Sequence, residues 1–210
     1  MGAAPPSRRL AVLISGRGSN LQSIIDAIAD GTLNATIGIV ISNRAGAAGL
    51  ARAREAGLDA RCLLTTDYSG REAYDAAIVD LLIAAEIDLV CLAGYMRLVG
   101  RPLLDAFPDR ILNIHPSLLP AFPGLDAQRQ ALEYGVRVSG ATVHLVTAEL
   151  DGGPIVSQGS VTVRDDDTVE SLSGRILVEE HRIYPEAIRL ILDGGWVVRG
   201  RRVIRAGAAV

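Results

Sequence analysis

The chain contains no lysine, because all 21 basic residues among its 210 are arginine. This absence excludes chemistry that needs a side-chain primary amine, such as Schiff-base catalysis, pyridoxal-phosphate anchoring or a Walker A phosphate site. With 24 acidic residues the formal net charge is -3, so the chain also lacks the basic field on which general nucleic-acid binding depends. We therefore expect small-molecule substrates and no nucleic-acid partner.

Aromatic residues and long apolar runs are scarce as well. Aromatics make up 4% of the chain against 49% hydrophobic residues, so the core must be aliphatic, which favours buried parallel strands covered by helices. Apolar runs such as residues 87–94 are far shorter than the roughly 20 residues that span a bilayer, and no membrane partner is expected. Residues 1–9 have no apolar leader segment, so we predict no signal peptide and a cytoplasmic location.

The chain has few residues suited to binding metal. Its two cysteines, Cys62 and Cys91, each lie in an apolar strand-like run and are predicted to be buried free thiols. No group of histidines, cysteines and carboxylates has the spacing of metal ligands. We therefore predict neither a disulfide nor a metal site.

Strand-like and helix-like stretches alternate over the first two thirds of the chain. The apolar patterns predict strands at 10–15, 36–42, 60–64, 88–93 and 110–114, and helices at 21–29, 47–56, 69–85 and 102–107. This alternation indicates an α/β fold with a mostly parallel twisted sheet flanked by helices, and with ligands at the carboxyl ends of the strands. The last third differs, with strands at 138–146 and 154–163, a helix at 168–192 and a terminal hairpin, which predicts an antiparallel extension.

A glycine-rich loop, residues 15–20 (Ser-Gly-Arg-Gly-Ser-Asn), follows the first predicted strand. Glycines allow close approach of a ligand to the backbone, and Ser19 and Asn20 are predicted to cap the next helix. The exposed amides and the helix dipole would attract a phosphate. The loop lacks the third glycine of a dinucleotide fingerprint and the G-K-[ST] of a P-loop, so a plain strand-to-helix turn remains the alternative.

Asn113 and His115 end the fifth predicted strand, and their spacing places both side chains on one face. Asn supplies a neutral N–H donor to a developing oxyanion, and His can be charged or neutral near pH 7. Three prolines, Pro116, Pro120 and Pro123, stiffen the loop that follows. The alternative is that both polar side chains merely bind local backbone; the pair in a proline-stiffened loop favours a site.

Asp151 precedes a Gly-Gly turn and is the candidate partner of His115. A carboxylate beside the imidazole would raise the pKa of His115 and favour the imidazolium form. An ordinary turn residue is the alternative, because Asp-Gly is a common turn signal. The other two histidines, His144 in a predicted strand and His181 in a predicted helix, are expected to be structural.

Taken together, these segments resemble the phosphoribosylglycinamide formyltransferases (GAR transformylases), folate-dependent enzymes of purine biosynthesis. The resemblance spans nearly the whole chain. The motifs that carry it are Ile-Ser-Gly-Arg-Gly-Ser-Asn at 14–20, Leu-Ala-Gly-Tyr-Met-Arg at 92–97, Leu-Asn-Ile-His-Pro-Ser-Leu-Leu-Pro at 112–120, Gly-Ala-Thr-Val-His at 140–144 and Leu-Asp-Gly-Gly-Pro at 150–154.

The resemblance implies transfer of the formyl group of 10-formyltetrahydrofolate to the amine of glycinamide ribonucleotide, by direct amine attack and without a metal. It implies one formyltransferase domain over 1–210, with a phosphate-binding half at 9–110 and a catalytic, folate-binding half at 111–210. It also implies a monomer or a homodimer. Oxyanion stabilisation would fall to Asn113 and His115, assisted by Asp151.

The resemblance assigns binding residues too. Gly18, Ser19, Asn20 and Glu180 match ribonucleotide contacts. The positions that match folate contacts are Arg71, Met96, Arg97, Leu98, Val99, Asn113, Thr147, Ala148, Glu149, Leu150 and Asp151. The sequence departs from some relatives at Leu177, Asp126 and Gln128, which affects the outer substrate contacts.

Two other functions remain open. A formyltetrahydrofolate hydrolase would use the same Asn, His and Asp with water as the acceptor. A non-catalytic phosphate-binding α/β module would use the glycine-rich loop alone. The three functions differ in whether the formyl group is lost, and in whether that loss requires the ribonucleotide.

Overall fold

The computed structural model describes residues 8–207, which form two compact units. The first unit extends through Ile111 and the second begins at Leu112. Residues 1–7, which include most of the stretch used for the signal-peptide prediction, lie outside the described residues. No helix within residues 8–207 combines the length and the apolar character needed to cross a membrane.

The first unit alternates strands and helices, as the sequence pattern predicts. Its strands are β1 (Arg9–Ile14), β2 (Thr36–Ser42), β3 (Ala60–Cys62) and β4 (Leu89–Leu92), and its helices are α1 (Ser19–Ala29), α2 (Ala48–Glu55), α3 (Arg71–Ala84) and α4 (Arg101–Ala106). The strand order is β3-β2-β1-β4, and every pair within it is parallel. Residues 10–14 of β1 are completely buried, as expected for a central strand with helices on both faces.

The second unit is mainly antiparallel. It contains β5 (Ile111–His115), inside which the boundary between the units falls, α5 (Ala127–Tyr134), β6 (Val138–Leu145), β7 (Ile155–Thr162), α6 (Val169–Asp193), β8 (Trp196–Arg199) and β9 (Arg202–Arg205). The β5–β6, β6–β7 and β8–β9 pairs are antiparallel, whereas β7 and β9 pair in parallel. The predicted fold class, parallel strands with flanking helices and an antiparallel C-terminal third, is confirmed.

Helix α6 covers one face of β6 and β7. Its buried residues recur every three or four positions, so one apolar stripe faces the strands. The helix begins with a capping box, in which the Thr168 hydroxyl accepts from the Ser171 amide and the Ser171 hydroxyl accepts from the Thr168 amide. This long helix presents Glu180 from its buried side.

Two local expectations were wrong, and one helix was not predicted. Ser19 and Asn20 do not cap α1, because Gly18 occupies the N-cap position and α1 begins at Ser19. Cys62 is exposed whereas Cys91 is buried, because β3 is a three-residue edge strand and β4 is a buried one. Helix α5 was not predicted, since its eight residues carry too few apolar positions to show a periodic pattern.

Candidate functional site

Asn113, His115 and Asp151 come together in the second unit. The first two lie on β5, two residues apart, and Asp151 lies in the turn between β6 and β7. The His115 Nδ1 atom is 3.5 Å from a carboxylate oxygen of Asp151, and the two side chains are only 6% and 8% exposed. Residues 36 positions apart thus form one buried polar cluster, because β6 pairs with β5 and the turn that follows β6 carries Asp151.

Neighbouring backbone fixes the ring of His115. Its Nε2 atom lies 2.9 Å from the carbonyl oxygen of Phe122, and a carbonyl oxygen can only accept, so the proton is on Nε2. Phe122 itself has a φ of 54°, in the left-handed region, which turns its carbonyl group within the proline-containing loop. The neutral imidazole therefore directs Nδ1 toward Asp151 and carries its N–H on the other side.

Asp151 favours the charged form of His115, as expected, but the predicted net rise in the His115 pKa is wrong. Burial, which disfavours the charged ring, lowers the pKa of His115 below its ordinary value of 6.5, and the hydrogen bond to Phe122 and the charge of Asp151 only oppose that effect. The nearby ring of His144 adds to the lowering. The sequence pattern indicates the carboxylate neighbour but does not reveal how deeply the imidazole is buried.

His144, which its position in a strand predicts to be structural, is a member of this cluster. Its Nε2 atom is 3.1 Å from the amide nitrogen of Asn113 and 3.6 Å from a carboxylate oxygen of Asp151. Its Nδ1 atom donates to the carbonyl oxygen of Leu145 at 3.0 Å, so in the neutral ring Nε2 is an acceptor. His144 and Asn113 lie opposite each other in the antiparallel β5–β6 pair. Knowledge of this strand register would have identified His144 as a member of the cluster.

One backbone hydrogen bond and two neighbouring imidazoles surround the Asp151 carboxylate. The Gly124 amide donates to it at 2.8 Å, which connects the β6–β7 turn to the loop after β5. Burial by itself raises the pKa of Asp151, but a hydrogen bond from His144 in its protonated form, the Gly124 hydrogen bond and the charge of protonated His115 outweigh it and lower that pKa. Asp151 is therefore ionised at neutral pH.

The turn that carries Asp151 depends on a close backbone approach. A Cβ atom on Gly153 would lie 1.8 Å from the carbonyl oxygen of Leu145, so glycine is required at this position. Asp151 adopts a left-handed φ of 50°, a conformation that aspartate tolerates better than most residues. This strained turn places the carboxylate beside the two histidines.

The remaining predicted residues of the second unit lie around this cluster or on α6. Residues 147–150 precede Asp151 in the turn and are exposed, with Leu150 55% exposed. Glu180 is a buried carboxylate on α6, 7% exposed. Of the three departures, Leu177 lies partly buried on α6, Asp126 precedes α5 with a left-handed φ, and Gln128 lies on α5.

The glycine-rich loop of the first unit packs tightly against α2. A Cβ atom on Gly18 would lie 2.7 Å from the Cα atom of Gly49, and the Gly49 amide donates to the carbonyl oxygen of Gly16 at 3.0 Å. Gly18 itself has a φ of 72°, which starts α1 at Ser19. The backbone amides in the first turn of α1 have no carbonyl partner within the helix. They can therefore donate hydrogen bonds to an anion at this end of the helix.

The predicted folate-contacting residues of the first unit lie at the start of α3 and after β4. Arg71 is the first residue of α3 and is exposed. Met96 and Leu98 follow β4 with 56% and 55% of their surfaces exposed. Between them, the guanidinium of Arg97 lies over the ring of Tyr74, 5.0 Å from its centre. Val99 is partly buried in the same segment.

Residues 8–207 contain no group of three or more histidines, cysteines and carboxylates that could hold a metal ion. The cluster around Asp151 instead offers two imidazoles, one amide and one carboxylate. Such a set can donate hydrogen bonds to an oxygen that gains negative charge and can accept a proton from an attacking amine.

Comparisons with known proteins agree on one family. The formyl transferase family model matches residues 8–188. The chain is 45% identical to the phosphoribosylglycinamide formyltransferase of Escherichia coli over 185 residues, which is 88% of this chain and 87% of that one. It is also 46% identical to the trifunctional purine biosynthetic protein adenosine-3 of Bos taurus over 90% of this chain, but it spans only 19% of the length of that relative.

Solved structures show the same relationship. Glycinamide ribonucleotide transformylase 1 from Symbiobacterium toebii superposes with a TM-score of 0.92 at 60% identity, covering 94% of this chain and 93% of that one. Phosphoribosylglycinamide formyltransferase from Bacillus halodurans superposes with a TM-score of 0.85 at 42% identity, over 88% and 95% of the two chains. Family model, sequence identity and fold agree over nearly the full length, and the chain belongs to the phosphoribosylglycinamide formyltransferase family.

Proposed function

We propose that the chain transfers the formyl group of 10-formyltetrahydrofolate to the primary amine of glycinamide ribonucleotide, a step of de novo purine biosynthesis. The observation that carries this proposal is the buried cluster of Asn113, His115, His144 and Asp151 in a chain of this family. It is a one-carbon transfer in which both reactants are substrates, and no metal takes part.

The amide of Asn113 and the imidazole of His115 stabilise the oxyanion that forms when the amine attacks the formyl carbon. The Asn113 amide nitrogen carries two hydrogens, and His144 takes one of them, so the other remains for the substrate oxygen. His115 donates its Nε2–H to the oxyanion in exchange for the hydrogen bond that this group makes with the Phe122 carbonyl oxygen. One donor of this kind contributes about 10²- to 10³-fold in rate.

Asp151 accepts the proton that the attacking nitrogen must lose. A bond forms between that nitrogen and the formyl carbon, the bond from the formyl carbon to N10 breaks, and one proton passes from the substrate nitrogen to N10. The ionised carboxylate of Asp151 takes up this proton, directly or through water. It also stabilises positive charge on the His115 ring, whose Nδ1 atom is 3.5 Å away.

Other residues hold the two substrates. Gly18, Ser19 and Asn20 bind the phosphate through the amides at the start of α1, and Glu180 holds the glycinamide part of the ribonucleotide. The folate is held by the α3 residue Arg71, by the segment Met96, Arg97, Leu98 and Val99, and by the turn from Thr147 to Asp151. Guanidinium groups such as that of Arg71 match the carboxylates of the folate tail.

The proposal extends to the organisation of the chain. The residues up to 110 would form the phosphate-binding half and those from 111 the catalytic and folate-binding half of one formyltransferase domain. We place the enzyme in the cytoplasm, as a monomer or a homodimer with small-molecule partners.

The deciding experiment follows the formyl group in a mixture of the purified chain and 10-formyltetrahydrofolate, with and without glycinamide ribonucleotide. Formyl transfer that requires the ribonucleotide supports the proposal. Formyl loss without any acceptor would favour the hydrolase, and no loss under either condition would favour a non-catalytic phosphate-binding module.

A further inference from the structure

The segment after β4 is irregular yet presents two large apolar side chains. Residues 93–100 are all described, and they form neither helix nor strand. Met96 and Leu98 in this segment are each more than half exposed. An irregular segment can hold a ligand in one geometry only if side chains elsewhere fix its backbone.

One such side chain is Ser15, at the end of β1. Its hydroxyl accepts from the Met96 amide at 2.8 Å and donates to the Asn43 side chain at 2.6 Å, and Ser15 is 2% exposed. The Ser15 amide also donates to the carbonyl oxygen of Gly94. The first half of the segment is thereby attached to a buried strand end.

The other side chain is Asp75, on the buried face of α3. Its carboxylate accepts from the Gly100 amide at 2.6 Å, and Asp75 is 1% exposed. A Cβ atom on Gly100 would lie 2.6 Å from the same carboxylate oxygen, so the backbone approaches Asp75 as closely as glycine permits. The second half of the segment is thereby attached to α3.

A buried carboxylate at this position is costly, and the catalytic cluster in the second unit does not include it. Burial raises the pKa of Asp75, while the Gly100 hydrogen bond and the charges of Arg97 and Arg71 oppose that rise. Arg97 belongs to the same segment and Arg71 begins the same helix. Asp75 therefore acts by its charge on Arg97 and Arg71, which the proposed function assigns to the folate, and by a hydrogen bond on Gly100, which directly follows residues 96–99.

We infer that Asp75 is a positioning residue for the formyl donor: it fixes the backbone of residues 96–99 in the geometry that receives the folate. The inference rests on the proposed function. It requires that loss of the Asp75 carboxylate weakens binding of the folate and leaves binding of the ribonucleotide unchanged. Ser15 performs the corresponding task at the other end of the segment.

The test compares five variants with wild type: Asp75→Ala, Asp75→Asn, Gly100→Ala, the double variant Asp75→Ala with Gly100→Ala, and the control Asp80→Ala at an exposed aspartate on the same helix. KM for each substrate, kcat, tetrahydrofolate affinity by calorimetry and thermal unfolding are measured for each. We expect Asp75→Ala to raise the donor KM and the tetrahydrofolate Kd about tenfold, because the variant loses one hydrogen bond to a charged group. The ribonucleotide KM should stay within about twofold.

Conservative and reciprocal changes separate positioning from general folding. Asp75→Asn keeps an acceptor for the Gly100 amide and should restore most of the donor affinity. Gly100→Ala should weaken donor binding by crowding Asp75, and the crowding should vanish when Asp75→Ala is combined with it, so the two changes should not add. Asp80→Ala should match wild type.

Two results would overturn the inference: a donor KM for Asp75→Ala within about twofold of wild type, or an equal rise in both KM values. Additive effects of Asp75→Ala and Gly100→Ala would also contradict it. If Asp75→Ala does not fold, Gly100→Ala decides, and a donor KM within about twofold of wild type in that variant overturns the inference. Wild-type transfer is measured first, so failure of the proposed function is seen as wild-type inactivity, separately from any result on Asp75.

Discussion

The amide nitrogen of Asn113 donates to the Nε2 atom of His144 at 3.1 Å, across the register of two antiparallel strands. His144 can accept because its other nitrogen donates to the carbonyl oxygen of Leu145. This pair fixes which way the Asn113 carboxamide faces and therefore where its remaining N–H is directed. His144 thus controls a group that we propose to stabilise the oxyanion.

His144→Phe keeps a ring on β6 but removes the acceptor, and we expect kcat to fall about tenfold or more because the Asn113 amide loses its fixed orientation. The ribonucleotide KM should change little. Steady-state kinetics are measured for His144→Phe, for Asn113→Ala and for the double variant. Together they give the coupling energy between the two side chains. If His144 acts through Asn113, its substitution should cost little once Asn113 is alanine, and a full additional loss would contradict this role.

Asp151→Asn removes the charge that we propose receives the amine proton while preserving side-chain shape. We expect kcat to fall by roughly 10²-fold or more, with ribonucleotide binding by calorimetry largely preserved. Asp109→Asn is the matched control, because Asp109 also has a left-handed φ but is exposed and has no proposed substrate contact. Turnover near the wild-type rate in Asp151→Asn would remove Asp151 from the mechanism.

Burial of His115 predicts how stability depends on pH. Its folded-state pKa is lowered below the ordinary 6.5, so the unfolded chain binds the proton more readily. The free energy of unfolding should therefore be highest above pH 6.5 and should decrease as the pH falls from 6.5 toward the folded-state value. The lowered pKa of Asp151 acts in the same direction at more acidic pH, with stability lost as the pH falls below 3.8.

Urea denaturation at a series of pH values measures this dependence. His115→Gln removes the titrating ring, so the decrease that begins near pH 6.5 should become shallower in the variant. An unchanged pH profile in His115→Gln would show that another group controls the acid sensitivity.

Two glycines of the second unit should respond to alanine in opposite directions. Gly153→Ala places a methyl group against the Leu145 carbonyl oxygen and should lower the free energy of unfolding by about 1–3 kcal/mol. It should also lower kcat, because the turn carries Asp151. Chemical denaturation together with the transfer assay measures both effects.

Gly174→Ala is the control, since Gly174 lies inside α6 and a Cβ atom there meets nothing within 4 Å. Alanine in a helix interior should raise stability by about 0.5–1 kcal/mol without changing turnover. Equal destabilisation by both substitutions would mean that the Leu145 contact is not the cause of the Gly153 effect.

The sequence by itself determined the order of strands and helices, the glycine-rich loop and the pair Asn113 and His115. These features depend on local patterns: apolar periodicity, glycine before a helix, and two polar residues at an i, i+2 spacing on one strand. The same patterns predicted the strand and helix bounds to within a few residues, apart from α5, whose eight residues carry little apolar signal.

Only the tertiary structure decided how these residues act together. The role of His144 depends on the register between β5 and β6, and the position of Asp151 depends on a turn whose backbone contacts Leu145 through Gly153. The sign of the His115 pKa shift depends on burial, which a list of neighbouring charges does not give. Strand pairing, close backbone approach and burial of a side chain all depend on residues that are distant in the chain. The tertiary structure therefore determines them, and local sequence patterns do not.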